Sequence, residues 1–447
     1  MVTKIHHHWH SRWLFIMAAT GSAVGLGNIW KFPYVAGENG GAAFVLIYLA
    51  CIVVIGVPIL MAETLLGRHG DSNPINAMLK TTRDSDVSKL WTIIAIMGIF
   101  CGLFIMFFYS VVAGWVLDYI VAIAQGSFQN VEPAFVEQYF EQEIMANKER
   151  QLVGHTIFTL LTVGVLAFGI NKGLGNAIKI LMPLLFILLG TSLVFSIQSG
   201  NFMQGFHFLF DPDFSKVTGE VVLMAMGQAF FSLSVGMGAI MTYGSYMDKQ
   251  TSIARTGFIV AGLDTLVALM AGLTIFPLVF ANGLQPSEGP GLMFLSLPIA
   301  FGHMEGGVIF GTLFFVLIGV AAWSSSISLI EPALSWISEK TPLNRAFACI
   351  LLAIIVWVGG YACIYQEGVF DFFDNLTSNY LLPIGGLLIA VFTGWVMKRK
   401  IAKNQLSQLS YFQFNLWYAT LRVFCPLGVI AVLISGLWPS IQALFGN

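Results

Sequence analysis

Charge is what this sequence lacks most. Asp, Glu, Lys and Arg make up 10% of its 447 residues, where a soluble domain carries about 25%. The shortage excludes a water-soluble globular chain, and no polar stretch is long enough for a separate soluble domain. Net charge is small too, at −2, which excludes a polyelectrolyte partner such as nucleic acid. Cysteine is sparse: Cys51, Cys101, Cys349, Cys363 and Cys425 lie in or beside apolar runs, without metal-binding spacing, and read as packing residues. The HHHWH stretch at 6–10 has no companion ligand cluster and reads as an interfacial lead-in. A cleavable signal peptide is not expected, because the first apolar run is too long and no small-residue cleavage site ends it.

Apolar residues fill the space that charge leaves, at 57%. A bilayer-crossing helix needs about 20 mostly apolar residues. Eleven segments meet that need, near 12–36, 42–66, 90–124, 155–172, 174–197, 220–246, 252–282, 307–338, 344–364, 370–397 and 411–444. The whole chain, 1–447, is thus expected to form one all-α integral membrane domain in a lipid bilayer. Lys and Arg concentrate in alternate connections, from Arg68, Lys80 and Arg83 to Lys398, Arg399 and Lys400. Only Lys148, Arg150 and Lys216 fall in the others. Positive residues mark the cytoplasmic side, so the N-terminus is expected inside and, with eleven helices, the C-terminus outside.

Two of these segments are interrupted. The first carries GSAVGLGN at 21–28, and the sixth carries SLSVGMG at 232–238. Five segments separate the two interruptions, and an odd number reverses orientation. Glycine-broken helices at matching points of two inverted halves point to a transporter site near the midplane. The plainer reading of each alone is close packing of small residues. A break frees carbonyl oxygens, which suit a hard cation, and helix ends whose N–H groups suit a carboxylate. One chamber can then hold a zwitterion beside a cation. Asp264, in GLDTLVALMAG, and Glu63 are carboxylates inside apolar spans, which makes each a functional candidate. Glu63 is assigned to accepting hydrogen bonds from unwound backbone. AAWSSSISLIEP, at 321–332, adds hydroxyls, though membrane serines often bond only to their own helix.

GSAVGLGNIWKFPYVAGENGGAAF, FFSLSVGMGAIMTYGSY and AAWSSSISLIEP resemble helices 1, 6 and 8 of the neurotransmitter:sodium symporters. The likeness runs from about Trp9 to the end of the eleventh segment and is strongest to bacterial hydrophobic amino-acid members. It implies the LeuT-type fold: an inverted repeat of five plus five helices, 12–197 and 220–397, with helices 1 and 6 unwound and 411–444 as helix 11. It also implies two sodium sites, an amino-acid substrate and alternating access. The first sodium would take oxygens of Ala23, Asn28, Ser232 and Asp264. The second would take Gly21, Val24, Ala321, Ser324 and Ser325. The substrate would meet Ser22, Ala23, Leu26, Gly27, Ile105, Tyr109, Phe231, Ser232, Ser234, Gly236, Met237, Ser325 and Leu329. Of these, Ile105, Phe231, Met237, Ser325 and Leu329 face its side chain, which points to hydrophobic or aromatic amino acids.

The resemblance extends to gates. Phe231 is the outer lid. Lys31 stands where the family has arginine, paired with Asp371 or Asp374, of which Asp374 is preferred because small residues follow it. Trp9, Ser245, Tyr246 and Glu339 match the inner gate, with His6 at its basic position. Gly173 and Pro183 keep a spacing that the family associates with unwinding of helix 5, and a loop glycine plus a kinking proline explains them as well. Chloride-dependent relatives have asparagine at position 264. Their other chloride-site positions map to Tyr48, Gln228, Ser232 and Ala268. Two unit charges 4 Å apart interact by about 4 kcal/mol at an effective dielectric of 20, so a fixed carboxylate can replace the halide. Chloride-independent transport is therefore expected. A proton-coupled carrier of the same fold is the nearest alternative, disfavoured by the Ser324 and Ser325 hydroxyls. An ion channel is a remote one. A nucleotide enzyme is excluded, because GSAVGLGN lacks the strand that such a loop follows. By resemblance, the setting is a prokaryotic inner membrane; monomer and dimer stay equally open.

Overall fold

The computed structural model of the chain describes residues 12–286, 291–431 and 433–434. Among them the only regular structure is helix. Nine helices there are long and apolar enough to cross a membrane, or ten if one sharply bent pair counts as a span. The bent pair is α1 (Arg12–Ala23) and α2 (Gly27–Glu38), which meet at 52°. There follow α3 (Ala42–Gly70), α4 (Lys89–Ala124), α5 (Lys148–Ala167) and α6 (Lys172–Ser199). Then come the short α7 (Gly219–Ser232) and α8 (Ala239–Tyr246). The last are α9 (Ile253–Ala281), α10 (Gly307–Lys340), α11 (Arg345–Tyr365), α12 (Val369–Val396) and α13 (Tyr411–Arg422).

The sixth segment, 220–246, read as interrupted at 232–238, is two helices on either side of that stretch, where Ser234, Gly236 and Gly238 have φ of 52°, 93° and 79°. Left-handed backbone cannot continue a right-handed helix. Two boundaries differ from the sequence reading. The fourth segment begins at Lys148 rather than 155. Asn147 caps it, accepting from the Arg150 amide at 3.0 Å, and Arg150 pairs with Asp118 at 2.5 Å and Glu143 at 2.8 Å. Polar residues read as loop thus become a first helical turn. The connection before it is also helical over Pro133–Gln138 and Tyr139–Met145. There burial, with the hydrogen bond to Asp118 next, pushes the Tyr139 hydroxyl above its ordinary range. The eleventh segment turns at Val423, three residues before Pro426, and its portion beyond residue 434 lies outside the described residues.

α4 is the spine. Its Gly114 meets Gly154 of α5 backbone to backbone: a Cβ on Gly114 would lie 2.7 Å from the Gly154 carbonyl carbon. His155, fully buried, joins the Ser110 hydroxyl through Nδ1 at 2.9 Å and the Trp357 carbonyl through Nε2 at 3.3 Å. α4, α5 and α11 are thereby locked together. α10 packs along α4 and carries the serine run toward the interruption of α1 and α2.

The α7–α8 interruption is closed by Glu63 of α3, which is 0% exposed. Its carboxylate accepts from the amides of Gly236 at 2.9 Å, Gly238 at 3.1 Å and Met241 at 3.3 Å. A buried donor without an acceptor costs about 1–3 kcal/mol. Glu63→Leu should therefore lower the thermal unfolding temperature in detergent far more than Glu63→Gln, which keeps one acceptor oxygen. Equal losses for the two variants would argue against this role.

Candidate functional site

The two interruptions face each other. Gly25 lies at the bend of α1 and α2, where a Cβ would lie 2.4 Å from Ser325 Oγ and 2.9 Å from the Tyr109 hydroxyl. Only glycine allows α4 and α10 to come this near the chain. Ser234, in the second interruption, donates to the Ser22 carbonyl at 2.9 Å. Gln228 of α7 donates to the Gly27 carbonyl at 2.8 Å. Side chains at and before the second interruption thus supply donors for loose carbonyls of the first.

One oxygen cluster surrounds Asn28. Asn28 Nδ2 donates to Asp264 Oδ1 at 2.7 Å, to the Asp264 carbonyl at 3.1 Å and to Ser232 Oγ at 3.0 Å. Ser232 in turn donates to Asp264 Oδ2 at 2.6 Å, and Tyr48 donates to Ser232 at 3.1 Å. Asn28 Oδ1 accepts from the Gly25 amide at 3.2 Å. All four side chains are 0% exposed. A second cluster surrounds Ser325, whose single hydroxyl donor has three carbonyls within reach, Val24 at 2.9 Å, Gly21 at 3.2 Å and Ser22 at 3.3 Å. Ser324 beside it donates to the Ala321 carbonyl at 3.0 Å. The second cluster is built from oxygen and the first from oxygens gathered on the Asn28 amide nitrogen, and oxygen is the donor a hard cation takes.

Between the clusters lies a chamber. Ser22, Ala23, Leu26, Gly27, Ile105, Tyr109, Phe231, Ser234, Met237, Ser325 and Leu329 line it. Tyr109 accepts from the Leu26 amide at 3.4 Å, so its hydroxyl stands at the polar end. Ile105, Met237 and Leu329 form the apolar end. Two residues grouped with the substrate on sequence grounds do not line it. Ser232 is turned toward Asn28 and Asp264, and Gly236 is turned toward α12, where a Cβ would lie 2.8 Å from the Leu382 carbonyl oxygen. Gly25 does line it; its place between two quoted glycines was the signal.

Phe231 separates this chamber from a second, outer hollow lined by Trp30, Lys31, Tyr34, Phe108, Phe370 and Asp374, among others. Asp374 rather than Asp371 reaches it, being one helical turn after Phe370 on the same face. Lys31 and Asp374 do not touch directly. Lys31 Nζ donates to Ser378 Oγ at 3.5 Å, Ser378 donates to Asp374 Oδ1 at 2.9 Å, and the ammonium lies 4.5 Å from the Phe231 ring centre.

On the inner side, His6 and Trp9 lie outside the described residues. Glu339 accepts from Ser72 Oγ and Asn73 Nδ2, each at 2.6 Å. Tyr246 donates to Glu331, at 2.9 Å, a residue that sequence reasoning missed although it closes the quoted serine motif. Glu331 is 0% exposed and meets Arg345 at 2.5 Å, while Arg345 Nε also donates to the Leu166 carbonyl at 2.9 Å. Removing one partner of a buried pair costs about 3–5 kcal/mol. Arg345→Ala should thus markedly lower the unfolding temperature, and adding Glu331→Gln should recover part of the loss. No recovery in the double variant would count against the pairing.

The model of the sodium:neurotransmitter symporter family matches residues 6–138 and 137–444. An uncharacterized sodium-dependent transporter of Haemophilus influenzae is 34% identical, across 97% of this chain and 99% of its own. The uncharacterized sodium-dependent transporter YhdH of Bacillus subtilis is 36% identical, across 96% and 97%. The crystal structure of MhsT in complex with L-phenylalanine superposes with a TM-score of 0.88 at 40% identity, covering 96% of this chain and 99% of that one. The chain therefore belongs to the sodium:neurotransmitter symporter family, as a sodium-dependent transporter embedded in a membrane and not an enzyme.

Proposed function

We propose that this transporter imports hydrophobic or aromatic L-amino acids by sodium-coupled alternating access. The observation that carries the reading is the chamber itself, polar where two broken helices meet and apolar at Ile105, Met237 and Leu329. In this reading the substrate carboxylate meets the backbone near Leu26 and Gly27 and the Tyr109 hydroxyl. Its amino group meets carbonyls near Ala23 and Phe231 and the Ser234 hydroxyl. Among the described residues no carboxylate lines the apolar end, so a basic side chain is not accepted. The L-phenylalanine bound in MhsT supports an aromatic substrate.

The first sodium takes oxygens from Ala23, Asn28, Ser232 and Asp264, completed by the substrate carboxylate. The second takes Gly21, Val24, Ala321, Ser324 and Ser325. A cation entering either cluster replaces hydrogen bonds that those oxygens now make to one another, so binding redirects the interrupted helices rather than filling a rigid cage. The architecture proposed is eleven membrane helices. Two inverted repeats, 12–197 and 220–397, each open with an unwound helix, and 411–444 is the eleventh. The N-terminus is cytoplasmic and the C-terminus is outside, in a prokaryotic inner membrane. Lys31, Asp374 and Phe231 close the outer side, and Trp9, Tyr246 and Glu339 belong to the inner one.

Asp264 supplies a fixed negative charge beside the first sodium, and Ala268, one turn on, has no hydroxyl to hold a halide. Chloride is thus not required.

Two outcomes test the reading. L-phenylalanine should raise the unfolding temperature of the purified protein in sodium but not in potassium, and L-lysine should do so in neither; stabilisation of equal size in both salts would overturn it. Uptake at fixed sodium should survive replacement of chloride by gluconate, whereas Asp264→Asn should need chloride; a wild-type protein that fails in gluconate would remove Asp264 from this role.

A further inference from the structure

We infer that Gly98 of α4 and Gly385 of α12, neither of which lines the chamber, fix its capacity for large side chains. They do so by seating the segment that carries Met237. The inference rests on the chamber being the amino-acid site.

The segment Gly236–Met237–Gly238 is held on three sides with no side-chain cushion on two of them. On the α3 side Glu63 ties the Gly236 and Gly238 amides. On the α4 side a Cβ at Gly98 would lie 3.0 Å from the Gly238 nitrogen, 3.0 Å from the Met237 carbonyl carbon and 3.3 Å from the Gly236 oxygen. On the α12 side a Cβ at Gly385 would lie 2.7 Å from the Gly236 oxygen and 3.2 Å from its Cα. These neighbours are backbone, which cannot swing aside as a long side chain can. The remaining direction is the chamber, into which Met237 projects.

Helix periodicity makes Gly98 a natural part of this wall. Gly98, Gly102, Ile105 and Tyr109 follow one another at spacings of four, three and four and share one face of α4. The upper half of that face, Ile105 and Tyr109, lines the chamber. The lower half lets other walls come close: Gly98 seats the Met237 segment, and Gly102 seats α10 at Leu329, whose carbonyl oxygen would be 2.8 Å from a Cβ there. A methyl group at position 98 or 385 has no free volume beside it. The strain must pass to the Met237 segment, moving it toward the ligand.

Large side chains then lose more than small ones. One methylene's worth of space in an apolar pocket changes discrimination by about 10–200-fold. Gly98 and Gly385 are positioning residues in this scheme, since they act through Met237 rather than on the substrate.

The test is ligand-induced thermal stabilisation of purified protein in sodium, titrated with L-phenylalanine and with L-valine. Gly98→Ala and Gly385→Ala should each reduce the phenylalanine-to-valine affinity ratio by about tenfold or more. Valine should still bind, and the stabilisation by sodium alone should persist. Adding Met237→Ala to either variant should restore the ratio. Gly319→Ala is the control, because its Cβ would rest in ordinary contact, 3.5 Å from Ile120 Cδ1. An unchanged ratio, or equal loss of both ligands in a folded variant, overturns the inference. Should a single variant not fold, its Met237→Ala double must fold and bind phenylalanine, and failure to do so is equally decisive against it. Wild-type protein that no amino acid stabilises in sodium would instead sink the transport reading itself.

Discussion

A peptide group freed from its helix within hydrocarbon cannot turn to water, and leaving it unpaired costs several kcal/mol. Every feature at the centre of this protein answers that constraint. Two helices stop short, and their loose N–H and carbonyl groups are taken up by Glu63, by Gln228, by Ser325 and by each other through Ser234 and Ser22. Irregular backbone at membrane depth survives only where protein or a cavity surrounds it. The chamber is thus the space that the two interruptions jointly enclose, and its polar end is made of backbone that had to be satisfied there in any case.

Among the described residues three carboxylates are fully buried, and they show three ways of holding a charge in such a setting. Glu63 is met by backbone amides alone and works as a fixed clasp. Glu331 is met by a guanidinium and a tyrosine and joins α8, α10 and α11. Asp264 is met, among the described residues, by neutral partners, the Asn28 amide and the Ser232 hydroxyl. Neither Glu63 nor Asp264 has a cationic partner among the described residues, and a buried charge without one is costly; Asp264 is the one beside which the proposed sodium would relieve that cost.

Much of this was written in residue types. The charge shortage gave the membrane class, and glycine with small polar residues at 21–28 and 232–238 marked both places where helix stops. The quoted motifs were specific enough to carry the family. Other features were hidden for physical reasons. Lys148, Glu149 and Arg150 look like loop, because a helical turn outside hydrocarbon needs no apolar residues and here depends on Asn147 and Asp118 instead. Glu331 escaped notice because its partner lies fourteen residues on, past the end of α10. Sequence could place Lys31 and Asp374 on facing elements, but not the Ser378 hydroxyl between them, since that depends on side-chain reach. Gly236 belongs to the right loop yet faces away from the chamber, which only its positive φ decides.

The backbone contact of Gly114 with Gly154, reinforced by His155, has a mechanical consequence. Elements joined without compressible side chains between them transmit force and do not absorb it. Ile105 and Tyr109 stand on that stiff frame, whereas Ala23, Gly27, Ser234 and Met237 belong to chain that has already given up its helix. In the transport reading proposed above, a cargo in the chamber would be gripped between an anvil and two yielding jaws, and release toward either face of the bilayer would fall to the jaws.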